Sequence, residues 1–315
     1  MRRVLVLLLP DVHLLDLSGP AQVFHSAAEQ GAQYALTFCA AQPQVRSAQG
    51  LTLSDLAPLP QVQPGDLILV PGVQIGAVNH LPTLLDSGTR DWLQASAGHG
   101  VEVAAVCAGA LALGEAQLLV GRRCTTHWSL TGLLQKRHPS ARVLDNVLFV
   151  QDRGVTTSAG IASGIDLALS LVEAEHGPLL TARVARDLVV YLRRSGEHAQ
   201  ASIYLEYRTH LHAGVHRVQD WLVAHPAQRT SLTDLARVAG MSARHLARSF
   251  KSATGLTVLD YQQRLRLELA RDLLQDPRLT LDAVADRSGF GDARALRRVW
   301  RKHFGAPPSK HRSQA

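Results

Sequence analysis

Cys107 closes the apolar run Val101-Glu-Val-Ala-Ala-Val106 and leads at once into a helical stretch over residues 110–119. A thiol at such a sharp strand-to-helix turn sits beside the positive end of the helix dipole, which favours the thiolate and lowers the thiol pKa. Cys107 is therefore the candidate nucleophile or oxidisable sulfur. The chain's 3 cysteines cannot all pair and show no metal-ligand spacing, so neither a metal nor another cofactor is expected and a reducing cytoplasm is the expected location. The second chemistry is cationic. Arg244, Ala247 and Arg248 share one side of a helical stretch whose other side carries Leu246 and Phe250, and Arg294, Arg297 and Arg298 repeat the pattern opposite Leu296 and Trp300. Guanidinium groups so arrayed suit phosphate contact and bidentate pairing with guanine in a major groove.

The elements that position those arginines form a repeat. Gly240 and Gly289 lie 49 residues apart and Gly255 and Gly305 lie 50 apart, each second glycine following a basic, apolar helix. A short helix ends at Gly240 or Gly289, where glycine turns the left-handed corner cheaply, and Ser242 or Asp292 caps the next helix. This is a helix-turn-helix corner, twice. Charge agrees: residues 214–315 hold 18 Lys plus Arg against 9 Asp plus Glu, whereas residues 1–213 hold 15 against 17. The net +7 of the chain thus comes from its C-terminal region, the electrostatic footprint of a nucleic-acid binder.

With these corners, the Thr254-Gly255 helix end, the long stretch from Tyr261 to Leu274 with Arg264 and Arg266, and the closing Phe304-Gly-Ala-Pro-Pro308 turn, residues 215–312 resemble an AraC/XylS-type DNA-binding domain. That resemblance implies two recognition helices entering successive major grooves about one helical turn, roughly 34 Å, apart.

The N-terminal region alternates buried-type strands at residues 4–9, 34–40, 66–70, 101–107 and 143–150 with helices at 20–30, 89–98, 110–119, 131–136 and 163–176. Apolar strands alternating with helices imply a mostly parallel sheet covered on both faces, a doubly wound, flavodoxin-like α/β domain whose ligands sit at the strand carboxyl ends. The opening apolar run is too short for a signal peptide or a membrane span, and no membrane partner is expected.

Val106-Cys-Ala-Gly109, Thr125-Thr-His-Trp128, Leu15-Asp-Leu-Ser-Gly-Pro20 and Thr157-Ser-Ala-Gly160-Ile-Ala-Ser-Gly164 together resemble the PfpI/ThiJ superfamily, which shares its fold with class I glutamine amidotransferases. The resemblance implies an elbow nucleophile at Cys107, an acid at Asp16 and a histidine at His127, with amides around Gly72 and Ala108 forming an oxyanion-type nest. The chain departs from the pattern at Ala108, where peptidase-like members carry histidine and isonitrile-hydratase-like members threonine.

An α/β domain of this type at residues 1–197, a linker at 198–213 and an all-α double helix-turn-helix domain at 214–312 resemble the GlxA family of transcriptional regulators. That implies a non-enzymatic, ligand-responsive DNA-binding regulator. Its effector pocket would comprise Asp16, Gly72, Cys107, Ala108, His127 and Trp128, and would take a small metabolite such as a nitrogen-containing one. Its other partners would be promoter DNA and a second copy through the N-terminal domain. The competing readings are a cysteine-dependent hydratase or hydrolase, and a redox sensor in which Cys107 is oxidised with Cys124 as resolving partner. His198, His210 and His212 read as exposed linker histidines and not as metal ligands.

Overall fold

A computed structural model describes residues 1–76, 83–97, 99–160, 162–190, 196, 207–208 and 210–309. The chain divides into two compact units, Met1–Gln200 and Ala201–Ala315, a division that falls inside the stretch read as a linker.

In the first unit six strands form one sheet: β1 (Arg2–Leu7), β2 (Tyr34–Cys39), β5 (Leu67–Val70), β6 (Glu102–Val106), β9 (Phe149–Asp152) and β10 (Val155–Ser158), in the order β2-β1-β5-β6-β10-β9. Every pairing is parallel except β9 with β10. All four residues of β5 and the last four of β1 are buried, so both faces of the sheet are covered, as the continuous apolar runs demand. Minor pairs are β3 (Val45–Arg46) with β4 (Thr52–Leu53), and β7 (Arg123–Cys124) with β8 (Arg142–Val143). The helices are α1 (Leu14–Glu29), α2 (Ser87–Ala97), α3 (Gly109–Glu115), α4 (Thr131–Arg137) and α5 (Ser163–Asp187), the last kinked at Gly177, next to Pro178.

In this first unit two expectations need correction. The helix expected from residue 20 starts at Leu14, and Pro20 lies inside it; the Leu14 amide is held by Gln49 Oε1 at 3.1 Å, a support from 35 residues away. The single strand expected over residues 143–150 is two short ones. Asn146, at φ +57°, breaks the run, and the second strand turns back through Arg153-Gly154 into β10.

The second unit holds α6 (Ala213–Ala224), α7 (Leu232–Ala239), α8 (Ala243–Thr254), α9 (Val258–Leu274), α10 (Leu281–Arg287) and α11 (Ala293–Phe304). Ser231, Ser242, Thr257, Thr280 and Asp292 each accept a backbone N–H at the start of a helix, satisfying a donor that the helix itself leaves open. Gly240 at φ +69° and Gly289 at φ +81° occupy the left-handed corners read from the repeat. Two separate cores result. Val215, Leu235, Leu246, Phe250, Tyr261 and Leu265 belong to the first, and Leu267, Leu274, Val284, Leu296 and Trp300 to the second. The helix α9 feeds its first half into one core and its second half into the other.

His210 and His212 are not exposed linker residues. His212 Nδ1 accepts the Val215 amide as N-cap of α6, and the His210 ring stacks on His216 with centroids 4.2 Å apart. His198 lies outside the described residues.

Candidate functional site

At the carboxyl end of β6 the chain must leave the sheet and enter α3 within two residues, and it does so with Cys107 at φ +55°, a conformation that costs a non-glycine residue about 1–2 kcal/mol. The elbow is held from both sides: the Cys107 amide donates to Ser158 O at 2.9 Å, and Thr126 Oγ1 donates to Cys107 O at 2.7 Å. Glycines make room for the side chain. A Cβ on Gly160 would lie 2.7 Å from Cys107 Sγ, and one on Gly72 would lie 2.2 Å from Asp16 Oδ2 and 2.8 Å from Cys107 Cβ. Gly160 was not among the expected site residues; its signal was the glycine-spaced segment at residues 157–164.

Asp16, in the first turn of α1, is completely buried and hydrogen-bonded to the Cys107 thiol. Burial pushes that thiol up to about 12, and the neighbouring carboxylate adds to the rise. The expected thiolate is thus overturned. The helix following the cysteine has seven residues, and its dipole with the Ala108 amide cannot offset the loss of water and a facing carboxylate. Cys124 is fully buried and pushed up to about 11, a poor resolving thiol.

Above the elbow lies a cavity of about 330 Å³ whose lining includes His13, Asp16, Gln49, Cys107, Ala108 and His127, with Leu15, Val73, Ile75 and Leu130 as apolar wall. The structure therefore brings four of the expected residues to one wall and Gly72 beneath them. Trp128 does not line it: the tight turn closed by Leu130 N on His127 O sends the indole outward, 66% exposed, with its ring 5.3 Å from His127. His127 Nδ1 pairs with Ser129 Oγ at 2.7 Å, and burial lowers the imidazole pKa despite Asp16. Gln49 was missed because it reaches the site from the turn between β3 and β4, where its Nε2 lies 3.2 Å from His13 Nδ1. Among the described residues, no lysine or arginine lines the cavity.

In the second unit Arg244, Ala247 and Arg248 are exposed on α8, and Arg294, Arg297 and Arg298 on α11, while Leu246, Phe250, Leu296 and Trp300 behind them are completely buried. Among the described residues none of these five arginines makes an ion pair, so the guanidinium groups remain available to an anionic partner. Arg301 and Lys302 extend the exposed basic face of α11 by a turn.

Comparison with known proteins follows the two units. Residues 2–174 match the family model described as the DJ-1/PfpI family, and residues 235–314 match one described as a helix-turn-helix domain. The chain is 30% identical over 224 residues to the HTH-type transcriptional regulator GbdR of Pseudomonas aeruginosa, covering 70% of this chain and 60% of that one. It is 28% identical over 270 residues to the regulator CdhR of the same species, covering 85% of this chain and 78% of that one. Over 168 residues it is 37% identical to an isonitrile hydratase of Pseudomonas putida, covering 53% of this chain and 69% of the enzyme. A crystal structure of an AraC family transcriptional regulator from Pseudomonas putida superposes with a TM-score of 0.53 at 25% identity, over 60% of this chain and all of that one.

Proposed function

Because the chain belongs to the DJ-1/PfpI family and carries a helix-turn-helix domain behind that region, we propose that it is a sequence-specific DNA-binding transcriptional regulator governed by a small molecule held in its α/β domain. The observation that carries the DNA reading is the pair of exposed arginine faces on α8 and α11, each backed by a buried Leu and aromatic residue and set behind a capped glycine corner. The similar HTH-type regulators support it.

The effector is a nitrogen-containing metabolite. Asp16 gives the cavity a carboxyl group, His13 and His127 give imidazoles, and among the described lining residues no lysine or arginine competes for the carboxyl. A ligand with a positive or N–H-bearing group therefore matches the wall, with Leu15, Val73 and Ile75 against its apolar portion. Binding regulates only insofar as it favours one arrangement of the DNA-binding units over another. A second copy, joined through the α/β domain, would lengthen the operator into paired sites.

Two measurements on the full chain test this reading. Selection from a random duplex pool should enrich a bipartite site whose halves lie about one helical turn apart. A thermal-shift screen over amines and amino acids, with each hit followed for turnover, should yield a ligand that stabilises the protein and is recovered unchanged. Enrichment of no sequence would remove the DNA reading.

The enzyme reading has its own support in the strained Cys107 elbow and the similar isonitrile hydratase. It predicts a hit that is consumed at a rate abolished by Cys107→Ser. Ala108 and the neutral, buried thiol weigh against it.

A further inference from the structure

The two corners of the repeat are supported differently. At Gly240 the support is internal to the first helix-turn-helix unit. Arg217 of α6 donates from Nε to Val238 O at 3.2 Å and from Nη2 to Ala239 O at 2.6 Å, tying down the last carbonyls of α7. A Cβ on Gly240 would meet nothing closer than an Arg217 nitrogen at 3.5 Å.

At Gly289 the support comes from the other copy. The loop between α6 and α7, which belongs to the first helix-turn-helix unit, lies directly on this second corner. A Cβ on Gly289 would fall 2.5 Å from Ala227 O and 2.7 Å from Ala227 Cα, and one on Gly291 would fall 2.7 Å from Arg229 Nη2. Contact that close between two backbones is available only while the loop is held in one position.

What holds it is a pair of side chains one turn apart on α9. Arg266 donates from Nε to Pro226 O at 2.9 Å and from Nη2 to Gln228 O at 3.0 Å, spanning Ala227. Gln262, buried on the same face, donates from Nε2 to that Gln228 O at 2.9 Å. The Arg266 guanidinium is half-buried, and desolvation and the nearby Arg229 lower its pKa. These costs fall on a side chain that makes no ion pair among the described residues, so its placement is explained by the two carbonyls it bridges.

The two cores share no residue and, among the described residues, α9 contributes to both and this loop bridges from one unit to the other. A single helix fixes the distance between two units far better than their rotation about its axis. The loop seated on Gly289 supplies the second point of attachment that rotation requires. We propose that Arg266 is a positioning residue that sets the spacing and phase at which the two recognition helices read their half-sites. It does so by clamping the 226–228 loop onto the corner of the second unit. This rests on the DNA-binding reading above.

The test uses the full chain and the duplex selected by the wild-type protein, together with the same duplex carrying two extra base pairs between its half-sites and one with the second half-site scrambled. Two base pairs turn the second half-site by about 70° around the duplex, so a rigid reader loses one of its two contacts and the wild-type affinity should fall at least ~30-fold. For Arg266→Ala the penalty should shrink below ~5-fold while affinity for the single half-site stays within ~2-fold of wild type. Retained single-site binding shows that the variant is folded. Should Arg266→Ala lose it, Arg266→Lys serves, since one ammonium cannot bridge both carbonyls and an intermediate spacing penalty is expected. An unchanged spacing penalty in the folded variants overturns the assignment of Arg266 and leaves the DNA reading standing. Failure of the wild-type chain to select any bipartite site overturns both.

Discussion

Cys107 keeps the geometry of a nucleophile in surroundings that disfavour its thiolate. Its strained φ and its place at the elbow are those of an exposed reactive thiol, yet Asp16 and Gly160 close around it and the proton stays on sulfur. With burial and Asp16 pushing the thiol up to about 12, the protonated form dominates at pH 7.5. Alkylation of Cys107 by iodoacetamide at that pH, followed by peptide mass spectrometry, should therefore run at least ~10-fold slower than for an unfolded cysteine. A rate equal to or above the unfolded one would restore the nucleophile. On the DNA side, Arg248→Ala and Arg298→Ala should each cost about 1–3 kcal/mol of binding to the selected duplex. Competition against scrambled duplex separates the roles: a base-reading arginine also relaxes specificity, whereas a phosphate contact weakens all sequences alike.

At the scale of elements, the helix-turn-helix repeat was almost wholly legible, because its determinants are local. Caps, corners and the four-residue spacing of Leu246 with Phe250 or Leu296 with Trp300 all lie within a turn or two of one another. The α/β site was legible at its elbow and in the motifs around Asp16, Gly72 and His127, but not in full. Gln49 and Gly160 reach it through tertiary folding, and the four-residue β10 is too short to announce itself by pattern. Its one local sign was the Arg153-Gly154 pair, which takes φ +49° and +79° in a two-residue hairpin. The true start of α1 at Leu14 is invisible locally because its first-turn support comes from Gln49. The corners carry a comparative prediction. Gly240→Ala meets only the left-handed backbone and should cost about 1 kcal/mol. Gly289→Ala meets that cost plus a collision with Ala227, a further 1–3 kcal/mol or so. Denaturant titrations following the tryptophan fluorescence of the second unit should rank them in that order, and equal losses would mean that the loop gives way freely.

At the scale of the whole molecule, charge and protonation make two further predictions. The basic excess lies in the C-terminal region, so the affinity for the selected duplex should fall steeply with salt, with a log–log slope of about −5 or steeper if six or more phosphates are neutralised. Stability should be highest between neutral and mildly alkaline pH. His127, His138 and His210 have pKa values lowered by burial from 6.5, so below that pH the unfolded chain binds more protons than the folded one and stability falls with acidification. Cys39, Cys107 and Cys124 are raised from 9.0 to about 12, 12 and 11, so above pH 9 the unfolded chain releases protons first and stability falls again. Melting temperatures recorded across pH 5 to 10 should trace that plateau; a continuous rise through pH 10 would contradict the buried thiols.

The loop that rests on Gly289 also gives the duplication a direction in time. The first helix-turn-helix unit has its own core and its own arginine brace at the corner, so everything it requires has emerged from the ribosome once the first half of α9 is out. The second unit needs residues 226–229, which by then are already in place within a formed neighbour. Synthesis from the N-terminus therefore presents the second copy with a finished template, and domains folding as they emerge benefit from that order. Exchanging the two copies in the gene would deliver the dependent unit first, with nothing to lean on.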